Sequence, residues 1–329
     1  MDENAVRPRH ADQNGWKRMG GRYGLPKSLN AAQAGWIFFI SYAAGIGLSL
    51  LMLSGSGEVL RLDYFLLYVV LGQVGCNVLP ALIWLRYKGI PLKEAFLLRR
   101  VTWKVLGLSV CIYALFQVFL LFVHQATSLV SLALGSAYQM SVYPVANDWL
   151  SLLVLLVCIG LLPPICEELL FRGALLGGYR VRGTLFAASM SALLFALFHD
   201  NPYRLAELFL AAWISALIVL RARSIIPGVV VHIATNIAYV VGSYAAAGDL
   251  VGAAGERAGA GAASLIVLGA ASIPCLWGCW LLLRKLGSMT ESRQNAVKVE
   301  GEAAAARGAY WLLPVGLAGI LFVVKVAWL

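Results

Sequence analysis

Nine apolar stretches, each close to the length of a bilayer crossing, constrain this chain more than any other feature. They run over roughly 33–54, 63–85, 105–124, 149–179, 183–199, 205–220, 225–245, 262–283 and 310–328. A membrane-spanning helix needs about 20 mostly apolar residues. The pattern therefore predicts an all-α fold, a polytopic transmembrane helix bundle of about eight to nine membrane-spanning helices. The stretch beginning at 149 is too long for one crossing, so it must bend or run into the interface. Those at 183–199 and 205–220 are short, and their ends are soft.

Composition agrees and excludes several classes. The chain is 60% hydrophobic and 13% charged, where soluble domains carry about 25% charged residues. Too little polar surface exists to cover a soluble core, which argues against a soluble enzyme, a disordered chain or a nucleic-acid-binding domain. The net charge of +10 then reads as topology. With the N-terminus inside and nine crossings, 21 Lys and Arg residues fall on the inner side and three (Arg61, Arg204 and Arg257) on the outer side. That bias places the N-terminus in the cytoplasm. Together with compact basic loops, it fits a multi-pass protein of a bacterial plasma membrane, with the lipid bilayer as its first partner and no nucleic acid.

The chain divides into a basic cytoplasmic tail at 1–32, N-terminal transmembrane helices at 33–144, a core at 145–245, and C-terminal transmembrane helices at 246–329. The tail has no apolar run before a cleavage site, unlike a secretory signal. A polar inner loop is expected at 286–308, a Gly- and Ala-rich outer loop at 246–261, and an interfacial segment at 89–100. No internal repeat stands out, which disfavours the common repeat-built transporter folds. The six cysteines lie in apolar stretches without a C-x-x-C pair. Cys275 and Cys279 share a helical face, but buried inert thiols are the ordinary case.

An ionisable group within the bilayer costs about 2.5–3.5 kcal/mol on insertion scales, so each needs a reason. Most acids lie in tails or loops, and the exceptions cluster. Glu167, Glu168 and Arg172 occupy P-P-I-C-E-E-L-L-F-R-G, His199 ends F-A-L-F-H, and His232 and Asn236 sit in H-I-A-T-N. Glu168 and Arg172 are four apart and can pair, while Glu167 lies about 100° around the helix. This suggests a division of labour. Glu168 is held by Arg172, and Glu167 faces a cavity as a general base. Pro163 and Pro164 break the helical ladder near Ile159 and Gly160 and widen the bundle to admit water. Phe195 and His199 share a face, as do His232 and Asn236. Helical rise puts Glu167, His232 and Asn236 near mid-membrane, with His199 deeper toward the outer side.

Blander readings exist for each residue. Glu168–Arg172 would serve as a structural ion pair, His199 as an interfacial residue, and His232 with Asn236 as interhelical glue. Glu207 reads as an outer-interface residue, His10 and His124 as tail and boundary residues, and Lys325 as a side chain snorkelling to the outer surface.

The combined set resembles the CPBP (Abi) family of intramembrane proteases, which includes the type II CAAX prenyl endopeptidases. Its pattern is a Glu-Glu pair with Arg four residues after the second Glu, then Phe-x-x-x-His, then His-x-x-x-Asn. The sequence matches at Glu167, Glu168 and Arg172, at Phe195 and His199, and at His232 and Asn236, within about 145–245. The resemblance implies hydrolysis of a peptide bond in a membrane-associated or lipidated, CAAX-like peptide or protein substrate. Glu167 would activate water and His199 would orient it. His232 and Asn236 would stabilise the oxyanion, with Glu168, Arg172 and Phe195 in support.

The resemblance implies no certain cofactor. Glu167, His199 and His232 would also suit a zinc site with an open position, as the family's frequent metalloprotease label suggests. No H-E-x-x-H helix is present, and the same residues serve a metal-free site. Rival classes remain a proton-coupled transporter using Glu167, His199 and His232 as a relay, and a non-catalytic bacteriocin-immunity membrane protein.

Overall fold

The computed structural model describes residues 29–55, 62–134, 144–247, 261–290 and 310–328. Residues 1–28 of the expected 1–32 tail, most of the 246–261 loop and residues 291–308 of the 286–308 loop lie outside the described residues. Within them the chain is helical, without a strand. Seven helices are long and apolar enough to cross a membrane, and two shorter apolar helices accompany them. The fold is thus an all-α polytopic bundle.

Helix α1 spans Ala31–Gly55. α2 joins Leu62–Val70, a π-helical Leu71–Val78 and Leu79–Lys88. α3 spans Trp103–Ala133 and α4 spans Trp149–Arg182. α5 is Thr184–Phe198, α6 Leu205–Ala222, α7 Ile226–Ala247, α8 Gly261–Met289 and α9 Leu312–Trp328.

Local chemistry sets the starts of two long helices. The Thr102 side chain accepts the Val105 N–H at the head of α3. Asp148 accepts the Ser151 N–H at 2.8 Å, and Ser151 Oγ accepts the Asp148 N–H at 3.1 Å, closing a reciprocal cap on α4. The Ser151 N–H bond holds the Asp148 carboxyl below its ordinary range.

Packing sorts the residues by solvent. Phe38, Leu170, Phe171 and Tyr179 are fully buried at the centre, where α1, α4 and α5 meet. By contrast Ile83, Ile266, Val267, Ile273 and Ile320 are 60–72% exposed, a pattern stable only when lipid tails cover them. Small residues allow the closest helix approaches. A Cβ on Gly178 of α4 would lie 2.6 Å from Ala34 of α1, and one on Gly35 would lie 2.7 Å from Pro314 of α9.

Two expectations are corrected. α3 continues nine residues past 124, so His124 lies within a helix instead of at its boundary. α8 runs to Met289, into the expected 286–308 loop, and Thr290 Oγ1 then donates to Arg221 O at 2.6 Å. Polar residues end an apolar window, but they do not stop helical hydrogen bonding. The 89–100 segment, expected along the inner interface, packs one side into the protein. Its Phe96 and Leu97 are buried, the Ile225 N–H donates to Leu97 O at 3.2 Å, and Ser224 Oγ donates to Arg99 O at 2.6 Å. Phe96 fills the space left by Gly173, where a Cβ would come within 2.5 Å of its ring.

Candidate active site

The site is organised around an interruption in α4. π-helical turns at Leu156–Leu161 and Leu169–Leu175 flank the α-helical Leu162–Glu168. The donor for Ile159 O would come from residue 163 in α register or residue 164 in π register, and both are proline. Sequence alone therefore leaves this carbonyl without a backbone partner. Asn236 of α7 supplies one, its Nδ2 donating to Ile159 O at 2.9 Å. Gly160 permits the close approach, since a Cβ there would lie 3.1 Å from the Ile237 side chain. Asn236 thus has a structural task beside its place in the cavity, and its second amide N–H remains available.

The two carboxylates have different surroundings. Glu168 Oε1 lies 3.0 Å from Arg172 Nη1, and the two side chains are 0% and 2% exposed. Arg172 also donates to Ala212 O at 3.4 Å and lies 4.6 Å above the Phe195 ring. His232 Nδ1 approaches the same Glu168 oxygen at 3.2 Å. α7 comes this near because Gly228 has no side chain. A Cβ there would fall 2.6 Å from Glu168 Oε2 and 2.8 Å from Val219 Cγ2.

Glu167 instead accepts from Gln73 Nε2 at 3.1 Å and faces His232 Nε2 at 3.8 Å. Gln73 in turn accepts from Asn77 Nδ2 at 2.9 Å. Both amides stand on the π-helical turn of α2. Sequence reasoning missed them, although two amides four residues apart in an apolar span repeat the spacing that marked His232 and Asn236.

His199 ends α5. Its Nδ1 lies 2.8 Å from Phe195 O, which can only accept, so Nδ1 carries the proton and Nε2 is left as the acceptor of a neutral ring. The Phe195 ring lies 4.5 Å from the His199 ring and 5.9 Å from that of His232, between centroids. The apparent depth mismatch of His199 has a simple resolution. α5 has 15 residues, which at 1.5 Å per residue is about 22 Å, short of a hydrocarbon core of about 30 Å. A helix of that length need not reach the far surface.

One cavity of about 670 Å³ is lined by Glu167, Glu168, Arg172, Phe195, His199, His232 and Asn236, together with Gln73 and Asn77. All seven residues expected from sequence thus share one space. The cavity also reaches Glu207, which pairs with Arg204 at 2.9 Å and His124 at 3.1 Å. Glu207, expected at the outer interface, is thus held between α3 and its own helix start. Lys325 does not snorkel outward either: its Nζ lies 2.5 Å from Asp200 Oδ2, an ion pair that removes the need to reach water.

The zinc arrangement considered for Glu167, His199 and His232 is not formed. Among the described residues, no three His, Cys, Asp or Glu side chains converge as a metal-ligand set. His199 Nδ1 meets Phe195 O and His232 Nδ1 meets Glu168, contacts that leave both Nε2 atoms uncommitted and do not themselves decide for or against a metal. The six cysteines are free thiols, and Cys279 Sγ donates to Ile112 O at 3.2 Å.

A carboxylate, two imidazoles and an amide around a sheltered cavity suit water activation and oxyanion binding. Residues 149–238 match the family model described as type II CAAX prenyl endopeptidase Rce1-like. No curated protein and no solved structure matches the chain. The matched segment begins at the head of α4 and ends in α7, and it carries Glu167, Glu168, Arg172, Phe195, His199, His232 and Asn236; over these residues the chain is similar to the Rce1-like family of type II CAAX prenyl endopeptidases.

Proposed function

We propose that this protein is an intramembrane endopeptidase that hydrolyses a peptide bond of a membrane-associated or lipidated, CAAX-like substrate with a water activated by Glu167. The family match supports the reaction class. The carrying observation is the unequal treatment of the two acids. Glu168 is consumed by Arg172 and His232, whereas Glu167 meets only an amide and a more distant imidazole nitrogen on the cavity wall.

In this mechanism Glu167 takes a proton from water as the oxygen attacks the carbonyl carbon. His199 Nε2 accepts the water's other hydrogen and fixes its direction. His232, doubly protonated with its Nδ1–H on Glu168, and the second amide N–H of Asn236 stand where the carbonyl oxygen gains charge. Glu167 then returns its proton to the departing amine, so the C–N bond breaks with a neutral leaving group. Gln73 and Asn77 hold the base, Phe195 separates the two imidazoles, and Glu168 with Arg172 anchors His232. The Lys and Arg bias supports a cytoplasmic N-terminus and a multi-pass placement in a bacterial plasma membrane.

The test is cleavage of a membrane-peptide library, including lipidated C-terminal peptides, by purified wild type and by the Glu167→Ala, His199→Ala and His232→Ala variants. The wild type should cleave and each variant should lose activity. Cleavage that survives Glu167→Ala removes the mechanism. No cleavage by any form, with proton-coupled flux in liposomes, replaces the enzyme with a transporter.

A further inference from the structure

A second polar cluster lies on the same cavity, outside the machinery just described. Asp200, the residue after His199, receives the Tyr42 hydroxyl on Oδ1 and Lys325 Nζ on Oδ2. Tyr42 belongs to α1 and Lys325 to α9, and neither helix lies in the 149–238 segment. Tyr42, Asp200 and Lys325 all line the cavity with His199.

The backbone explains why such a clamp is needed. Asp200 has φ 52°, in the left-handed region that few side chains other than Asn and Asp enter readily. It follows the last turn of α5, where the His199 and Asp200 N–H groups reach Ala196 O and Leu197 O at 3.3 and 3.2 Å. A terminal turn of this kind frays easily unless other elements hold it. Here both carboxylate oxygens are tied to different helices. A second route runs through rings. Tyr42 lies 6.1 Å from Phe198, and Phe198 lies 6.2 Å edge-on from His199, between centroids. With Nδ1 bound to Phe195 O on one side and the chain locked at Asp200 on the other, the His199 ring is left little freedom.

We propose that Asp200, clamped by Tyr42 and Lys325, is a positioning residue for His199, making α9 a working part of the site. The proposal rests on the reading of His199 as a site residue. It also accounts for a lysine kept within an apolar helix, at a place where charge is costly.

The chain has four histidines, so 15N-histidine NMR of the full protein in nanodiscs can resolve His199, assigned by loss of its signal in His199→Gln. In the wild type, His199 should give one sharp Nδ1-protonated signal. In Asp200→Asn and Lys325→Met it should broaden or split, whereas Lys325→Arg should restore the single signal. In cleavage assays the first two variants should lose kcat by about 10- to 100-fold with KM within about two-fold, as expected for a misplaced group. An unchanged His199 signal in both variants overturns the proposal, whatever their activity. An altered signal in a protein whose wild type cleaves nothing upholds the clamp and removes the hydrolase reading separately.

Discussion

Replacing Asn236 should destabilise the protein only while Pro163 and Pro164 are present. Asn236 donates to Ile159 O, a carbonyl that neither helical register can serve because residues 163 and 164 lack an N–H. Asn236→Ala removes the donor and leaves the acceptor on a residue 8% exposed. Leaving a buried acceptor unpaired costs about 1–3 kcal/mol. Measured interhelical hydrogen bonds within membranes average about 0.6 kcal/mol and reach about 1.7, because other partners are found. The expected loss is therefore about 1–2 kcal/mol. In a Pro163→Ala/Pro164→Ala background the missing N–H groups return, and Asn236→Ala should cost below about 0.5 kcal/mol. Reversible unfolding of the four proteins in bicelles gives the coupling directly. An equal penalty in both backgrounds would refute the idea that Asn236 replaces the donor the prolines remove.

Other expectations follow from the same geometry. Gly228→Ala should destabilise by about 1–3 kcal/mol, as overpacking does, because its Cβ would overlap Glu168 Oε2 and Val219; thermal unfolding in detergent checks this. Glu168→Gln or Arg172→Met alone should cost about 3–5 kcal/mol by stranding a buried charge, and the double variant should recover much of that loss in the same unfolding assay. Gln73→Leu should lower kcat about tenfold with KM little changed, because it frees the Glu167 carboxylate from its amide; it also strands the buried Asn77 Nδ2, so unfolding temperature is measured beside kcat. Activity should persist after treatment with a strong zinc chelator; loss restored by added zinc alone would show that the ligand arrangement differs from the one described.

What the sequence disclosed depended on the contrast between charge and its surroundings. Glu167, Glu168 and Arg172 were visible because their neighbours are apolar, and helical spacing alone separated the two acids. The structure brings these residues and His199, His232 and Asn236 to one cavity, while their chemical roles stay with the proposal. Gln73 and Asn77 escaped notice because neutral amides raise no comparable alarm, and their helix lies about 90 residues before Glu167. Lys325 was recognisable as costly, but its partner was not. Nothing in local pattern says that α9 packs where Asp200 can reach it, 125 residues away. The ends of α3 and α8 were set too early for a different reason. Hydropathy marks where lipid contact ends, whereas backbone hydrogen bonds carry a helix beyond it.

The most direct measurement is the turnover of Glu167→Gln on a peptide that the wild type cleaves. Glutamine keeps the size and the hydrogen-bonding partners of the side chain but cannot take a proton from water. The account predicts that kcat falls by about 10²–10⁴, the usual contribution of a general base, with peptide binding and unfolding temperature close to wild type. Turnover at the wild-type rate would contradict it.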